Sequence, residues 1–310
     1  MNVISSLQVK LLQAPIGSCC TPELAASVSN NGGLGALAVT WQSPRQVREI
    51  IEATKKLTSL AFQANFVLCF PIEEQLRSAI ESRVPVITFS WGMPSSTTTN
   101  DLLAARIPFG IQVLTETEAR RAKELGASFL ITQGIEAGGH VQGNLPIIQQ
   151  IERLNLVDIG LPLVAAGGIG TPIDALKVLS SGADAVMVGT RFVASSESAA
   201  HDGYKNLLVQ ASSADTVLTE CFSVGWPNAP HRVLRNPVLE LWEQKLKLPE
   251  RSGAFAPDGS PVALLSDMPP VRGVTGSIDN MCLYAGMGVS GVDRIASVSE
   301  IMEEFKCKLT

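Results

Sequence analysis

The chain has 310 residues, of which 45% are hydrophobic, and its formal net charge at neutral pH is −5. This length and apolar content suit one large domain with an insertion, or two modest domains. The charge is mildly acidic and no basic block is present, so a nucleic-acid partner is not expected.

The amino terminus and the cysteines favour a cytoplasmic protein. The first residues lack a charged segment followed by an apolar one, and no apolar run approaches the roughly 18 residues of a membrane helix. No membrane partner is therefore expected. The six cysteines form neither a Cys-x-x-Cys pair nor a metal-ligand spacing with histidine. They are interpreted as reduced thiols, and no metal site is predicted.

Short segments rich in β-branched and aliphatic residues recur eight times, with helical patterns between them. The predicted strands are residues 9–13, 35–39, 61–66, 85–90, 109–113, 128–132, 162–166 and 184–188. The predicted helices are residues 23–30, 44–57, 73–81, 116–125, 146–154 and 172–181. This alternation indicates an α/β fold of parallel strands that are buried on both faces. Eight strands favour a closed (β/α)8 barrel over an open doubly wound sheet.

After residue 199 the alternation of strands and helices stops. Residues 200–276 hold a helical pattern at 237–246 and a stretch rich in Pro, Gly and Ser. We predict that they form a smaller helical or irregular cap, inserted after strand eight and covering the barrel mouth. Residues 1–199 and 277–310 then form the barrel, with helical character returning in residues 278–309.

Three ring-bearing side chains of the predicted cap, His201, Trp226 and His231, have different expected roles. His201 and His231 are interpreted as structural or solvent-facing groups. Trp226 is predicted to form an aromatic wall of the substrate site, because a cap at the barrel mouth sets substrate choice.

The loop after strand six carries the side chain with the clearest chemistry, His140. The loop reads Gln133-Gly-Ile-Glu-Ala-Gly-Gly-His140. Two glycines before the histidine let the backbone pass close to a flat ligand, and Gln133 and Glu136 supply polar groups. A surface turn with an incidental histidine is the alternative. In a barrel, however, this loop lies at the carboxyl ends of the strands, where binding and catalytic residues gather.

Two further loops predict a phosphate-bearing ligand. Gly167, Gly168 and Gly170 follow strand seven, and Gly189 with Thr190 follows strand eight. Backbone N–H groups of such turns converge on an anion at helix starts. A tight turn alone would explain one glycine cluster, but the pairing of two neighbouring loops favours a phosphate site.

Taken together, these motifs resemble the nitronate monooxygenase family, formerly called 2-nitropropane dioxygenases. The resemblance covers residues 12 to about 194, with a further match at residues 284–286, and its most specific part is the Gln-Gly-x-Glu-Ala-Gly-Gly-His run. The motifs that carry it are Gln13-Ala-Pro, Asn65-Phe66, Thr88-Phe-Ser-Trp-Gly-Met-Pro94, Gln133-Gly-Ile-Glu-Ala-Gly-Gly-His140, Ala166-Gly-Gly-Ile169, Val188-Gly-Thr-Arg-Phe192 and Tyr284-Ala-Gly286.

The resemblance implies a TIM barrel that holds FMN without a covalent link and oxidises alkyl nitronates with molecular oxygen. His140 would be the catalytic base. The implied contacts to the flavin ring and ribityl chain are Ala14, Asn65, Gln133 and Gly138. The implied contacts to the flavin phosphate are Gly167, Gly168, Gly189 and Thr190. A small-molecule substrate and oxygen are the implied partners, and a homo-oligomer is one option for the assembly.

Two other functions stay open at this point. The same Glu-Ala-Gly-Gly-His core is similar to flavin-dependent enoyl-ACP reductases and NADH:quinone reductases, so an FMN-dependent NAD(P)H oxidoreductase is the alternative. A non-catalytic phosphate-binding barrel is the third hypothesis. It is disfavoured because a simple binding protein would not require Gln133 and His140 in one loop.

Overall fold

The computed structural model describes residues 3–309. The strands are β1 (Leu11–Gln13), β2 (Gly35–Ala38), β3 (Phe62–Val67), β4 (Val86–Ser90), β5 (Phe109–Gln112), β6 (Phe129–Gln133), β7 (Gly139–His140), β8 (Leu163–Ala166), β9 (Ala185–Val188), β10 (Thr216–Thr219), β11 (His231–Leu234), β12 (Ala254–Phe255) and β13 (Thr275–Gly276). The α-helices are α1 (Pro22–Asn30), α2 (Pro44–Leu57), α3 (Glu73–Glu81), α4 (Ser96–Ala105), α5 (Glu116–Glu124), α6 (Ile147–Asn155), α7 (Pro172–Ser180), α8 (Thr190–Val193), α9 (Asp202–Gln210), α10 (Pro237–Glu243) and α11 (Val298–Leu309).

Eight parallel strands form one sheet in the order β1-β9-β8-β6-β5-β4-β3-β2. The sheet closes because β1 meets the start of β2 through a parallel bridge between Leu12 and Leu34. Gln13 extends this junction: its side-chain amide donates to the Ala36 carbonyl and accepts from the Ala36 N–H, both at 3.0 Å. The predicted (β/α)8 barrel is confirmed.

Every predicted barrel strand is present within two residues of its predicted bounds, because strands buried on both faces leave continuous apolar runs in the sequence. Of the helices that connect consecutive barrel strands in the described residues, α4 is the one not among those predicted. α4 reads Ser-Thr-Thr-Thr-Asn-Asp-Leu-Leu-Ala-Ala and buries only Thr99 and Leu102. It lacks the apolar periodicity that identifies an amphipathic helix. The side chain of Ser95 nevertheless caps the amino terminus of α4, because its hydroxyl accepts the Thr98 N–H.

Capping residues fix where the barrel helices begin. Thr21, Ser43, Thr115 and Thr171 each accept a backbone N–H of the first helical turn. Three of these helix starts are capping boxes, in which the third helical side chain also binds the cap backbone. Each cap satisfies N–H groups that the helix itself leaves unpaired. Each of these loops at the carboxyl end of a strand is therefore held by the strand before it and by the capped helix after it.

Residues 200–276 contain strands as well as helices, which the sequence pattern did not predict. β10 and β11 form an antiparallel sheet with β7, and β12 pairs with β13. β10 and β11 have four residues each, and β12 and β13 have two. Strands this short show too little alternation of apolar and polar residues to be predicted from the sequence. Their pairing is decided by tertiary contacts.

The helical character expected in residues 278–309 is present mainly in α11. Only two short 3₁₀ turns, Ile278–Asn280 and Met287–Gly291, precede α11. Glycines at positions 286, 288 and 291 let this segment pack tightly against other backbone, and it runs as an irregular chain.

The division into barrel and cap stays a prediction. Tyr284 forms an antiparallel bridge with Val233 of β11, so the returning chain also contacts residues 200–276. Residues 1, 2 and 310, at the ends of the predicted barrel segments, lie outside the described residues. Within residues 3–309, no helix is long and apolar enough to cross a membrane.

Candidate active site

The predicted site residues lie at one end of the barrel, where the parallel strands finish. Gln133 ends β6, beside Ala166 at the end of β8. Ala14 follows β1 and donates its N–H to Val188 at 2.8 Å, directly before Gly189. Asn65, in β3, is buried, and its amide donates to the hydroxyl and the carbonyl of Thr88.

The side chain of Gln133 holds the 133–140 loop in place. Its amide nitrogen donates to the His140 carbonyl at 3.1 Å, and its amide oxygen accepts the Gln142 N–H at 2.9 Å. Gln142 in turn accepts the backbone N–H of Trp91 at 3.1 Å. Gln142 was not predicted as a site residue. It links the loops that follow β4 and β6.

Glu136 connects the 133–140 loop to the start of α6. Both of its carboxylate oxygens accept the Ile147 N–H, at 3.1 and 3.2 Å. Ile147 is the first residue of α6, whose preceding Pro146 has no side-chain cap. A carboxylate at a helix amino terminus also interacts favourably with the helix dipole.

Strand β11 binds the 133–140 loop through its backbone and through one arginine. His231 lies opposite His140 and Arg232 opposite Gly139 in the β11–β7 pair. The guanidinium of Arg232 donates to the Ile135 carbonyl at 2.9 and 3.2 Å and is only 9% exposed. Arg232 was not predicted, because a single arginine outside a motif gives no sign that it will be buried. These contacts fix the backbone on both sides of the two glycines.

The imidazole of His140 lies in an aromatic environment. It stacks on Trp226 with ring centroids 3.9 Å apart, and His231 and Tyr284 follow at 5.2 and 5.6 Å. Its Nε2 atom is buried and has no hydrogen-bond partner. Burial, with a smaller contribution from His231, lowers the pKa of His140 to about 3. At neutral pH the ring is therefore uncharged, with an unpaired nitrogen at the barrel mouth.

His231 is fully buried, and both of its ring nitrogens have partners. Nδ1 faces the Ala229 carbonyl at 2.9 Å and must donate, so Nε2 accepts the Phe222 N–H at 3.2 Å. Burial lowers the pKa of His231. Protonation would remove the acceptor for Phe222, so His231 is a neutral structural residue. His201 is also structural, since its Nδ1 accepts the Gly203 N–H at the start of α9. The structural interpretation of both histidines is confirmed.

The folded protein is expected to lose stability as the pH falls from about 6.5 towards 3. Over this range the unfolded chain protonates His140 while the folded chain, with its lowered pKa, does not. The free energy of unfolding should therefore fall more steeply with acid in the wild type than in His140→Gln, by up to about 1.4 kcal/mol per pH unit. Urea unfolding at several pH values measures both slopes. Identical slopes would show that His140 titrates normally in the folded state.

The glycine turns after β8 and β9 differ in the space that they leave for a side chain. Gly168 has a left-handed backbone, with φ of +70°, and an added Cβ would lie 3.0 Å from the Cβ of Glu136. Gly189 has φ of −113°, and an added Cβ would meet only ordinary contacts, the nearest being the Cβ of Ala14 at 3.4 Å. Gly189 therefore presents an accessible backbone at the start of α8.

The segment after residue 283 contacts both the loop after β6 and the start of α8 at the barrel mouth. Gly286 donates its N–H to the Thr190 hydroxyl at 2.9 Å, and Met287 donates to the Glu136 carbonyl at 2.9 Å. An added Cβ on Gly138 would lie 2.3 Å from the Gly286 nitrogen, so Gly138 is required for this close approach. Tyr284-Ala-Gly286 was identified from the sequence only as a matching motif, and its contacts with both loops were not predicted.

Comparison with known proteins identifies the family. The family model described as nitronate monooxygenase matches residues 1–79 and 69–307. The chain belongs to the nitronate monooxygenase family. The resemblance stated from the sequence motifs is thereby confirmed, and the chain is a flavin-dependent oxidoreductase.

Relatives of known sequence support the nitronate monooxygenase assignment. A probable nitronate monooxygenase from Staphylococcus aureus (strain Newman) is 28% identical over 262 residues, covering 70% of this chain and 74% of that protein. A probable nitronate monooxygenase from Staphylococcus haemolyticus (strain JCSC1435) is 30% identical over 265 residues, with the same coverage.

Solved structures resemble this nitronate monooxygenase family member along its full length. FabK from Thermotoga maritima matches with a TM-score of 0.83 and 29% identity, covering 99% of this chain and 94% of that one. Nitroalkane oxidase from Streptomyces ansochromogenes matches with a TM-score of 0.82 and 26% identity, covering 100% and 98%. The barrel fold is shared with both.

Cys19 and Cys20 lie in an environment that disfavours the thiolate in this nitronate monooxygenase family member. Burial raises the pKa of each thiol to about 12. The thiolate, which is the reactive form, is therefore scarce at neutral pH. Both cysteines are free thiols, as the sequence interpretation expected.

Proposed function

We propose that the chain binds FMN and oxidises alkyl nitronates with molecular oxygen to carbonyl compounds and nitrite. The observation that carries the proposal is the uncharged His140 ring, whose buried Nε2 has no partner and lies in the loop between the glycine turns and the cap. An unpaired buried polar atom at a barrel mouth calls for a ligand. Membership of the nitronate monooxygenase family supplies the reaction class.

The residues at the mouth fit a flavin that ends in a phosphate. In α8 the N–H groups of Phe192 and Val193 donate to the Gly189 carbonyl, which leaves the N–H groups before them as the ones that a phosphate could use, and Gly189 leaves the approach to them open. The Thr190 hydroxyl oxygen accepts a hydrogen bond from the Gly286 N–H, and its own O–H can donate to a phosphate. The proposed phosphate contacts are Gly167, Gly168, Gly189 and Thr190, and the proposed ring and ribityl contacts are Ala14, Asn65, Gln133 and Gly138.

When bound, the flavin supplies electron transfer and the chemistry of oxygen. The chain's own contribution is to position the substrate, exclude water and move a proton. A neutral nitroalkane must first lose a proton from the carbon beside its nitro group. The C–H bond breaks, its electron pair moves onto the nitro oxygens, and the proton passes to Nε2 of His140. The product of this step is the nitronate.

The lowered pKa of His140 favours this base role over a role as a cation that binds the anionic nitronate. A ring with a pKa of about 3 is almost entirely neutral at pH 7. A neutral imidazole accepts a proton but offers no charge to an anion. The rings of Trp226 and Tyr284 beside it exclude water from the reacting atoms.

An FMN-dependent NAD(P)H oxidoreductase is the second candidate. The chain matches FabK and nitroalkane oxidase almost equally, with TM-scores of 0.83 and 0.82, so similarity of fold does not separate the two chemistries. The family model favours nitronate oxidation. The cytoplasmic location and the oligomeric state stay predictions from sequence.

The purified protein is expected to be yellow and to carry about one FMN per chain, since the mouth provides one phosphate site. Heat or acid should release the flavin, because no covalent tether is proposed. Chromatography of the released flavin identifies it. Release of FAD, or a colourless protein that FMN does not reconstitute, would contradict the cofactor assignment.

A further inference from the structure

We propose that Gln142 and Trp91 are positioning residues for His140: the Gln142 side chain holds Trp91 in a left-handed backbone conformation, and the indole of Trp91 fixes the orientation of the His140 ring. The inference rests on the proposed function, in which His140 is the base, and adds two residues that act on that base. An uncommon backbone angle, the hydrogen bonds that hold it and the rings around His140 carry the inference.

Trp91 has a left-handed backbone, with φ of +59°. Large side chains adopt this conformation rarely, because their Cβ crowds the neighbouring carbonyl oxygen. Such angles are ordinary where a helix ends, as at Arg106, the C-cap of α4. Trp91 instead directly follows β4. Backbone strain of this kind persists where the surrounding contacts impose it, and it is concentrated at functional sites.

Hydrogen bonds fix the peptide group between Ser90 and Trp91 from both sides. The Ser90 carbonyl accepts the Leu68 N–H at 2.9 Å, and the Trp91 N–H donates to Oε1 of Gln142 at 3.1 Å. Gln142 is itself held, since its own N–H donates to the side chain of Gln133 at 2.9 Å. The Trp91 backbone is therefore held by a residue that lies two positions after the proposed base.

The rings of His140, Trp91 and Trp226 contact one another. Trp226 stacks on the imidazole with ring centroids 3.9 Å apart, and Trp91 meets the same imidazole edge-to-face at 6.1 Å. Trp91 and Trp226 also meet edge-to-face, at 4.8 Å, which is a favourable arrangement for aromatic rings. The imidazole therefore cannot turn far without moving one of the two indoles.

Packing, rather than a hydrogen bond to Nε2, aims the imidazole of His140. The side chain of Gln133 holds the His140 backbone, but it leaves the ring free to turn about its side-chain bonds. The buried Nε2 atom has no hydrogen-bond partner among the described residues. A base must lie within hydrogen-bond reach of the proton that it takes, and a small misplacement of a catalytic group is costly. The orientation that Trp91 imposes therefore bears directly on proton transfer.

The first test follows the histidine side chains by NMR in the flavin-loaded protein. The chain has three histidines, so isotope labelling of histidine alone gives three sets of imidazole signals. Gln142→Met removes the acceptor for the Trp91 N–H while Trp91 stays chemically intact. The His140 signals should shift, because the neighbouring indole changes its direction, and those of His201, which caps α9, should not. Gln142→Glu keeps an oxygen acceptor and should leave the His140 signals closer to their wild-type positions.

Kinetics of the same proteins provide a second readout. The kcat/KM for a neutral nitroalkane, divided by that for its nitronate, isolates the step that needs a base. Gln142→Met should lower this ratio by about tenfold or more, and Gln142→Glu should restore most of it. Asn144→Met is the matched control, because Asn144 lies in the same segment, is exposed and should leave the ratio unchanged.

A double-mutant cycle tests whether Gln142 acts through Trp91. Trp91→Gly removes the indole, and glycine adopts the left-handed conformation without strain. Adding Gln142→Met to Trp91→Gly should lower the ratio by less than about twofold, because the indole that Gln142 positions is already gone. Effects that add in full would show that the two residues act independently, and would overturn the proposal.

Unmoved His140 signals in Gln142→Met would also overturn the proposal, and so would a ratio that falls equally in Asn144→Met. If Gln142→Met does not fold, Gln142→Asn should shift the His140 signals instead, because its shorter side chain withdraws the oxygen from the Trp91 N–H. Unmoved signals in that variant would contradict the proposal. If the wild-type enzyme oxidises neither the nitroalkane nor its nitronate, the proposed function fails, and the histidine signals then decide the inference on their own.

Discussion

Replacing His140 by asparagine is expected to lower kcat/KM for a neutral nitroalkane by roughly 10²–10⁴-fold, the usual loss when a proton-transfer group is removed. Oxidation of the already deprotonated nitronate should be nearly unchanged, because that substrate needs no base. The flavin content should stay normal, since the phosphate turns lie in other loops. Steady-state kinetics on both substrate forms across pH measure the difference.

The acid limb of the pH profile provides a second readout for His140. Since burial lowers the pKa of its ring to about 3, activity on the neutral nitroalkane should persist well below pH 6.5. His201→Asn is a suitable control, because His201 caps α9 and asparagine is favoured at that position. A His140→Asn enzyme with unchanged rates on both substrate forms would remove His140 from the mechanism. A loss confined to nitronate binding would instead indicate a cationic role.

Gly189→Val is expected to weaken flavin binding by about tenfold or more, corresponding to about 1.4 kcal/mol, while the flavin-free protein keeps its stability. The backbone of Gly189 is not left-handed and an added Cβ meets no protein atom closer than 3.4 Å, so the fold tolerates a side chain. The side chain would occupy the space proposed for the phosphate. Flavin content and the thermal unfolding of the flavin-free protein are the two measurements.

Gly168→Val distinguishes a binding effect from a folding effect. Its φ of +70° and the short distance to Glu136 strain any side chain there, so this variant should lose both flavin and stability. If Gly189→Val keeps its full flavin content, the turn after β9 does not hold the phosphate. If Gly189→Val unfolds as readily as Gly168→Val, Gly189 is needed for the fold rather than for the ligand.

The barrel could be predicted because its strands are buried on both faces and its helices carry caps and apolar stripes. The same reasoning failed for α4, where Ser and Thr fill the positions that apolar residues usually occupy. It also failed for β7, a strand of two residues, Gly139 and His140, that exists only because β11 pairs with it. Such pairing depends on residues about 90 positions apart and leaves no local pattern.

The candidate site was predictable to a similar extent. The pattern of loops after strands predicted that the glycines before His140 and the turns at Gly168 and Gly189 lie at one end of the barrel, and the structure brings them together there. The burial of Arg232 and its bond to the Ile135 carbonyl were not predictable, because they arise only when the cap meets the loop. The low pKa of His140 has the same origin, since burial by residues distant in sequence produces it.

The most direct test of the central claim is an anaerobic mixing experiment with the flavin-loaded protein. Separate samples receive an alkyl nitronate, NADH or NADPH, and the flavin absorbance is followed in time. Nitronate oxidation predicts that the nitronate bleaches the flavin rapidly and that both nicotinamides leave it oxidised. Bleaching by NADH or NADPH with no response to the nitronate would contradict the proposed function and establish the reductase instead.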